Sequence, residues 1–166
     1  ISRRYIAIDY GTTNATVFLD IYDDGVTAWV PREYYYDSKV KMVQKTDKQY
    51  ADDLVEFIKG GPPAVIILDP SAASFKAEMR SRGYRIKDAD NEVLDGIRMT
   101  STFIGQRKIK MVKDKCKRTI GDILSYVWDQ KASQRGEEKP VKENDHGADA
   151  LRYFVKTIVK PRRLSR

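Results

Sequence analysis

Apolar positions along the chain recur with two spacings, alternate residues and every third or fourth residue, and the switches between them predict the elements. Tyr5 to Asp9 (YIAID) reads as a short strand running into the polar turn Asp9-Tyr10-Gly11-Thr12-Thr13. Ala15 to Tyr22 is again strand-like. Asp23-Asp24-Gly25 supplies the positive φ of a tight hairpin turn, and Val26 to Tyr36 reads as a third strand. Three strands joined by short turns predict an antiparallel meander. Thr46 to Lys59 then reads as a helix, with Thr46 and Gln49 as a capping box and Tyr50, Leu54, Phe57 and Ile58 as its apolar stripe.

Ala64 to Leu68 (AVIIL) is a continuous apolar run, the pattern of a central strand covered on both faces. Asp69-Pro70-Ser71 breaks it. A helix over Ser71 to Arg82, closed by Gly83, leads to a short strand over Tyr84 to Lys87. Asn91 to Gln106 is predicted helical, Lys108 to Val112 strand, and Cys116 to Trp128 helical. The polar stretch Gln130 to Asn144 reads as a loop or an exposed hairpin, and its Gln130 to Glu143 portion is expected to be mobile without a partner and to gate the site that follows. Asp145 is expected to cap a last helix through Val159, with Leu151, Phe154, Val155 and Ile158 buried. The basic tail from Lys160 is expected to fray. The order βββ-α-β-α-β-α-β-α-loop-α is that of a mixed sheet flanked by helices, the arrangement of the RNase H-like α/β fold.

The 166 residues suit one domain, residues 1–166. A net charge of +7 favours a polyanionic partner, nucleic acid first. The lone cysteine, Cys116, excludes a disulfide or a Cys-ligated zinc site within one chain and fits a reducing cytoplasm. No apolar run approaches the ~20 residues that span a bilayer, and no signal peptide is visible. Beginning at Ile1 rather than Met, the chain is read as a fragment cut from a longer protein.

Asp9 and Asp69 each end a predicted strand. If those strands are parallel neighbours, both carboxylates leave the same sheet edge, where open α/β sheets bind ligands. Carboxylates held close repel unless a cation lies between them. Mg²⁺, which takes oxygen ligands and keeps waters for a substrate, suits such a pair. Each Asp alone is equally a turn residue or a helix cap. His146 and Asp149 share one helix face, and a helical wheel sets Asp149 on the polar side, beside Arg152, Tyr153 and Lys156, so position alone does not decide between a solvated face and a site. Arg107, Lys108, Lys110, Arg152 and Lys156 are candidates for DNA phosphate contacts, and read equally as ordinary surface cations.

The segment Asn144 to Tyr153 (NDHGADALRY) resembles the last catalytic motif of bacteriophage terminase large subunits. The resemblance continues through Pro31 to Asp37 (PREYYYD), Lys45 to Leu54 (KTDKQYADDL), Leu68 to Phe75 (LDPSAASF), Ala89 to Ile97 (ADNEVLDGI) and Ser125 to Asp129 (SYVWD), in family order over almost the whole chain. It implies the C-terminal nuclease domain of that family, with an RNase H-like mixed five-stranded sheet. It implies an endodeoxyribonuclease that cuts concatemeric viral DNA during packaging by two-metal hydrolysis. Asp9, Asp69 and Asp149 would hold two divalent cations, Mg²⁺ or Mn²⁺, with His146 as a further active-site residue near the metals. Double-stranded DNA would be the substrate, the small terminase subunit and portal the partners of the full-length protein, and the cytoplasm of the infected bacterial host the setting; no membrane is implied. Gly147 departs from the expected helix former, a change expected to cost little in a first turn. No G-x-x-x-x-G-K-[ST] motif for the family's packaging ATPase is present, so the chain is expected to cut DNA and not to translocate it.

Two other enzyme classes compete. Ile8 to Thr13 (IDYGTT) also resembles the first phosphate loop of actin, Hsp70 and sugar kinases, whose ATP site lies between two lobes and needs a longer chain. A Holliday-junction-type resolvase shares the fold. A non-catalytic DNA-binding module is the third alternative, and the intact carboxylate set speaks against it.

Overall fold

The computed structural model describes residues 1–134 and 145–164. Three antiparallel strands open the chain: β1 (Arg3–Asp9), β2 (Ala15–Asp23) and β3 (Ala28–Asp37). A single helical turn, α1 (Ser38–Lys41), follows β3. The apolar pattern gave no sign of it, because it is set by a polar cap: Asp37 accepts from the Lys39 and Val40 amides. The expected capping box is present at the start of α2 (Asp47–Ile58), where Thr46 and Gln49 bond each other's backbone amides.

Next come β4 (Val65–Leu68), α3 (Ala73–Ser81), β5 (Ile86–Asp88), α4 (Leu94–Gly105) and β6 (Ile109–Met111). A 3₁₀ turn (Lys113–Lys115) precedes α5, which runs from Lys117 to Gln134. The helix thus passes the expected end at Trp128; of the Gln130 to Glu143 segment expected to be mobile and to gate the site, residues 130–134 are helical and residues 135–143 lie outside the described residues. The chain closes with α6 (His146–Phe154), a π-helical turn (Val155–Val159) and α7 (Lys160–Leu164). The tail through Leu164 is helical, not frayed. Pro161 follows directly on the π-helical turn, and Arg162 is paired with the buried Asp23. Asp145 stands at the N-cap of α6 but makes no side-chain capping bond.

The sheet is mixed and has six strands, not five, in the order β5-β4-β1-β2-β3-β6. All six strand segments of the sequence pattern join it, where the family resemblance implied five, and β6 lies parallel to β3 at one edge. β1 pairs with β4, and β4 with β5, in parallel. Both faces are covered, which is why β1 and β4 read as unbroken apolar runs. Ile6, Ile8, Phe18, Ile66 and Leu68 pack against α2 and α3 through Tyr50, Leu54, Phe75 and Met79. Tyr5, Ala7, Leu19 and Ile67 pack on the other face against Phe103 of α4 and Leu151 and Phe154 of α6. Each Ile, Leu, Phe or Met side chain among them contributes about 1.5–3 kcal/mol on burial. No helix among the described residues is long and apolar enough to cross a membrane.

Candidate metal centre at the carboxyl edge of the sheet

The parallel pairing of β1 with β4 sets Ile8 opposite Leu68. The next residues, Asp9 and Asp69, therefore leave one edge of the sheet on adjacent strands, ~5 Å apart at the backbone. The last helix brings two more groups to that edge. His146 and Asp149, one turn apart on α6, face Asp9: His146 Nδ1 lies 2.8 Å from Asp9 Oδ2. Asp9, His146 and Asp149 each offer a ligand atom, all within 4.8 Å of one another. Asp69 stands beside this group, its carboxylate accepting from the Ser71 amide (2.8 Å) and Asn91 Nδ2 (3.2 Å).

Two close approaches place α6. A Cβ on Gly147 would lie 2.4 Å from Thr119 Oγ1 and 2.7 Å from Thr119 Cα on α5. Only glycine lets the two helices meet there, so Gly147 is a packing requirement and not the mild departure expected of a first-turn residue. Gly96 of α4 gives way in the same manner to the side chain of Arg152, 2.8 Å from its would-be Cβ. Asp122 of α5 then fixes the first turn of α6, accepting from the Gly147 amide (2.9 Å) and from the Tyr35 hydroxyl (2.8 Å).

The electrostatics are those of a site short of positive charge. Burial pushes the Asp9 carboxyl up; the hydrogen bond from His146 opposes this and the charge of Asp149 adds to it. The bond to Asp9 pushes His146 up against its own desolvation, so without a cation the imidazole leans toward the protonated form. Burial also pushes Asp69 up, but bonds from Ser71, Asn91 and the Tyr153 hydroxyl together hold it below the usual carboxylate range. Burial raises Tyr153, and the charges of Asp9 and Asp149 raise it further. Asp122 is raised by burial against its two donors.

Asp9, Asp69, His146 and Asp149 thus come together at one edge. The cationic candidates do not join them as a surface. Arg152 and Lys156 are 4% and 3% exposed. Arg152 donates to the carbonyls of Asn91 and Glu92 and approaches Asp149 at 3.4 Å. Lys156 pairs with Asp95 (2.9 Å) and Glu92 (3.1 Å). Both are internal counter-ions, so the wheel's solvated face is in fact packed between the sheet and α4. Arg107, Lys108 and Lys110 lie at β6, where Ile109 pairs with Ala28, Ala28 with Asp23 and Asp23 with Arg3. That is the far end of the sheet, six residues along β1 from Asp9, or ~20 Å.

Sequence reading missed Asp122, Tyr153 and Asn91 as parts of the site. Asp122 left one signal: an acid on the buried stripe of α5, between Thr119 and Ile123. Asn91 lies in a loop, and its one signal was its place in the ADNEVLDGI segment of the family resemblance.

No protein-family profile and no curated protein matches the sequence. Solved structures do. The large terminase of a thermophilic bacteriophage aligns at 44% identity and a TM-score of 0.83 over 95% of this chain and 40% of that one. The large-terminase nuclease domain of bacteriophage P22 aligns at 15% identity and 0.68, over 93% of this chain and 80% of that one. The large-terminase nuclease domain of bacteriophage SPP1 with bound Mn aligns at 17% identity and 0.56, over 93% and 84%. The last two show a shared fold. The chain spans about 40% of the length of the thermophilic phage terminase it matches.

Proposed function

This chain belongs to the bacteriophage large-terminase family, in its nuclease domain, and on that premise we propose that it is a metal-dependent endodeoxyribonuclease of viral DNA packaging. The observation that carries the reading is the convergence of Asp9, His146 and Asp149 within 4.8 Å beside Asp69. The donor set fits divalent cations. Three carboxylates gather around one histidine and one buried arginine, an excess of negative charge that a cation would offset. His146 Nε2 is buried without a hydrogen-bond partner among the described residues.

Asp9, Asp69 and Asp149 would hold two cations, Mg²⁺ or Mn²⁺, with His146 beside them. Bound there, the cations would acidify an attacking water and offset charge developing on the phosphodiester oxygens. The chain's own groups set the stage. Asp9 orients the His146 ring through Nδ1, leaving Nε2 to hold or release a proton. Asn91 and Ser71 fix the Asp69 carboxylate in one orientation. Arg152, buried behind Asp149, approaches that carboxylate at 3.4 Å and limits where it can turn.

The substrate of this reading is concatemeric double-stranded viral DNA in the cytoplasm of an infected bacterium. The small terminase subunit and the portal would be the partners in the packaging machine. Supercoiled plasmid incubated with the chain in Mg²⁺, in Mn²⁺ and in EDTA is the test. Nicked and linear products with either cation and none in EDTA are expected; intact plasmid in all three overturns the reading. A branched substrate run alongside should be cut no faster than a linear one, and a clear preference for it would favour a resolvase.

A further inference from the structure

The carboxylate edge has two flanks of opposite character. On one side the segment 89–95 carries Asp90, Glu92 and Asp95, each about half exposed. On the other side β3 runs past the level of Asp9. Asp9 pairs with Val17 and Val17 with Tyr35, while Asp37 pairs with Ala15. The end of β3 is therefore two strands from Asp9, ~10 Å away in the plane of the sheet. The turn that follows is seated on the loop after Asp9, with Ser38 Oγ donating to the Asn14 carbonyl (2.9 Å). Its far end is anchored as well: Tyr36 donates to the Val43 carbonyl (2.7 Å) and Lys45 pairs with Asp53 (2.5 Å).

Between these anchors the side chains point away from the protein. Val40 is 71% exposed and Met42 89%. Lys39 and Lys41 are exposed and have no carboxylate partner among the described residues. The start of α5 lies against the same strand end. Arg118 stacks on the Tyr35 ring at 4.2 Å, is half exposed, and reaches Asp37 only at 3.5 Å. Lys117 beside it is exposed and has no such partner among the described residues either.

We propose that Lys39, Lys41, Lys117 and Arg118 form the rim on which duplex DNA lies as its phosphate enters the carboxylate site, with Val40 and Met42 packed into the groove of the duplex. The proposal rests on the nuclease reading for its substrate and on charge for its direction. Phosphates approach over the cationic β3–α5 flank, whereas on the 89–95 flank Asp90, Glu92 and Asp95 already serve as the partners of Lys156 and Lys160 and offer phosphate no free cation of their own. Exposed apolar side chains framed by lysines have the composition of a wedge laid against a DNA groove. The cations at β6, at the opposite end of the sheet, have no part in it.

The test is duplex binding without added metal, read by fluorescence anisotropy across a salt series. The 166-residue chain would be compared with Lys39→Glu/Lys41→Glu, Lys117→Glu/Arg118→Glu, Val40→Ser/Met42→Ser, and Arg107→Glu/Lys108→Glu/Lys110→Glu. Circular dichroism would confirm that each is folded. Each rim charge pair should weaken binding about tenfold or more and reduce the salt slope by roughly 0.9 for each phosphate left unneutralised. The Val40/Met42 variant should weaken binding with the slope unchanged, as an uncharged contact requires. The β6 variant should bind as the parent does. Rim variants that bind normally, or a β6 variant that alone loses affinity, overturn the proposal. Cleavage is scored separately. A parent that binds through the rim and does not cut leaves the proposal standing and removes the nuclease reading. A parent that cuts while its folded rim variants bind and cut equally well does the reverse.

Discussion

Gly147 leaves no room for a side chain, and the neighbour it touches includes the Thr119 backbone, which cannot rotate away. Gly147→Ala should therefore push α6 off α5, at a cost of about 1–3 kcal/mol, and should cut cleavage by moving His146 and Asp149; thermal melting and plasmid assays on the variant check both. The carboxylates behave differently. Asp9→Ala, Asp69→Ala and Asp149→Ala should each abolish cleavage with the fold intact, and near-normal cutting by any one would remove it from the site. The sign of the Asp9 shift adds a stability prediction. A carboxyl raised by burial stabilises the fold below its ordinary range, and that contribution is lost as pH rises through the raised value. At neutral pH in EDTA, Asp9→Asn should melt no lower than the parent; a clearly lower melting temperature would show that the His146 bond outweighs the desolvation. His146→Ala should reduce cleavage strongly but less than Asp69→Ala, and should narrow any advantage of Mn²⁺ over Mg²⁺, because imidazole suits transition metals better. Parent-like rates with both metals in that variant would exclude the role.

At the scale of elements, the last helix is held to α4 by charge as well as by packing. Lys156 and Lys160 both reach Asp95 Oδ2, at 2.9 and 2.8 Å, and these bonds lower Asp95 to about 2. A depressed carboxylate stabilises the fold above its ordinary range, and the contribution is lost as pH falls from there through about 2. Acid melting of Asp95→Asn should lack that part of the pH dependence, and identical profiles for variant and parent would exclude the bridge. This region also marks the limit of periodicity. A wheel sorts a helix into a wet and a dry side, but α6 is enclosed by the sheet, α4 and α5, so Arg152 and Lys156 looked like surface cations while serving as internal ones. Asp9 and Asp69 were legible because strand ends and a buried parallel strand are local patterns. Asp149 and His146 came from motif resemblance, not from the wheel. Asp122, Asn91 and the α1 turn depend on which segments fold against one another, and periodicity carries no such information. The distance of Arg107, Lys108 and Lys110 from the carboxylates was not legible either, because it depends on the parallel pairing of β6 with β3, which sends them to the far end.

Across the whole molecule, the site is a junction of the first strand, the fourth strand and the last helix, and a cation there would join all three. Mn²⁺ or Mg²⁺ should raise the melting temperature, by an amount equivalent to about 2.7 kcal/mol at a hundred times the dissociation constant, and Asp9→Asn/Asp149→Asn should lose the effect. A melting temperature indifferent to either metal would exclude binding at this junction. The junction also has a consequence in time. His146 and Asp9 stand 137 residues apart in the chain, and Gly147 must find Thr119 before they can meet. A ribosome-bound chain that has already folded its meander and β4 displays Asp9 and Asp69 without the groups that complete them. Under the proposed function such a chain cannot harm the DNA around it, and the capacity to cut arrives only when synthesis has passed Asp149 and the final helix has docked.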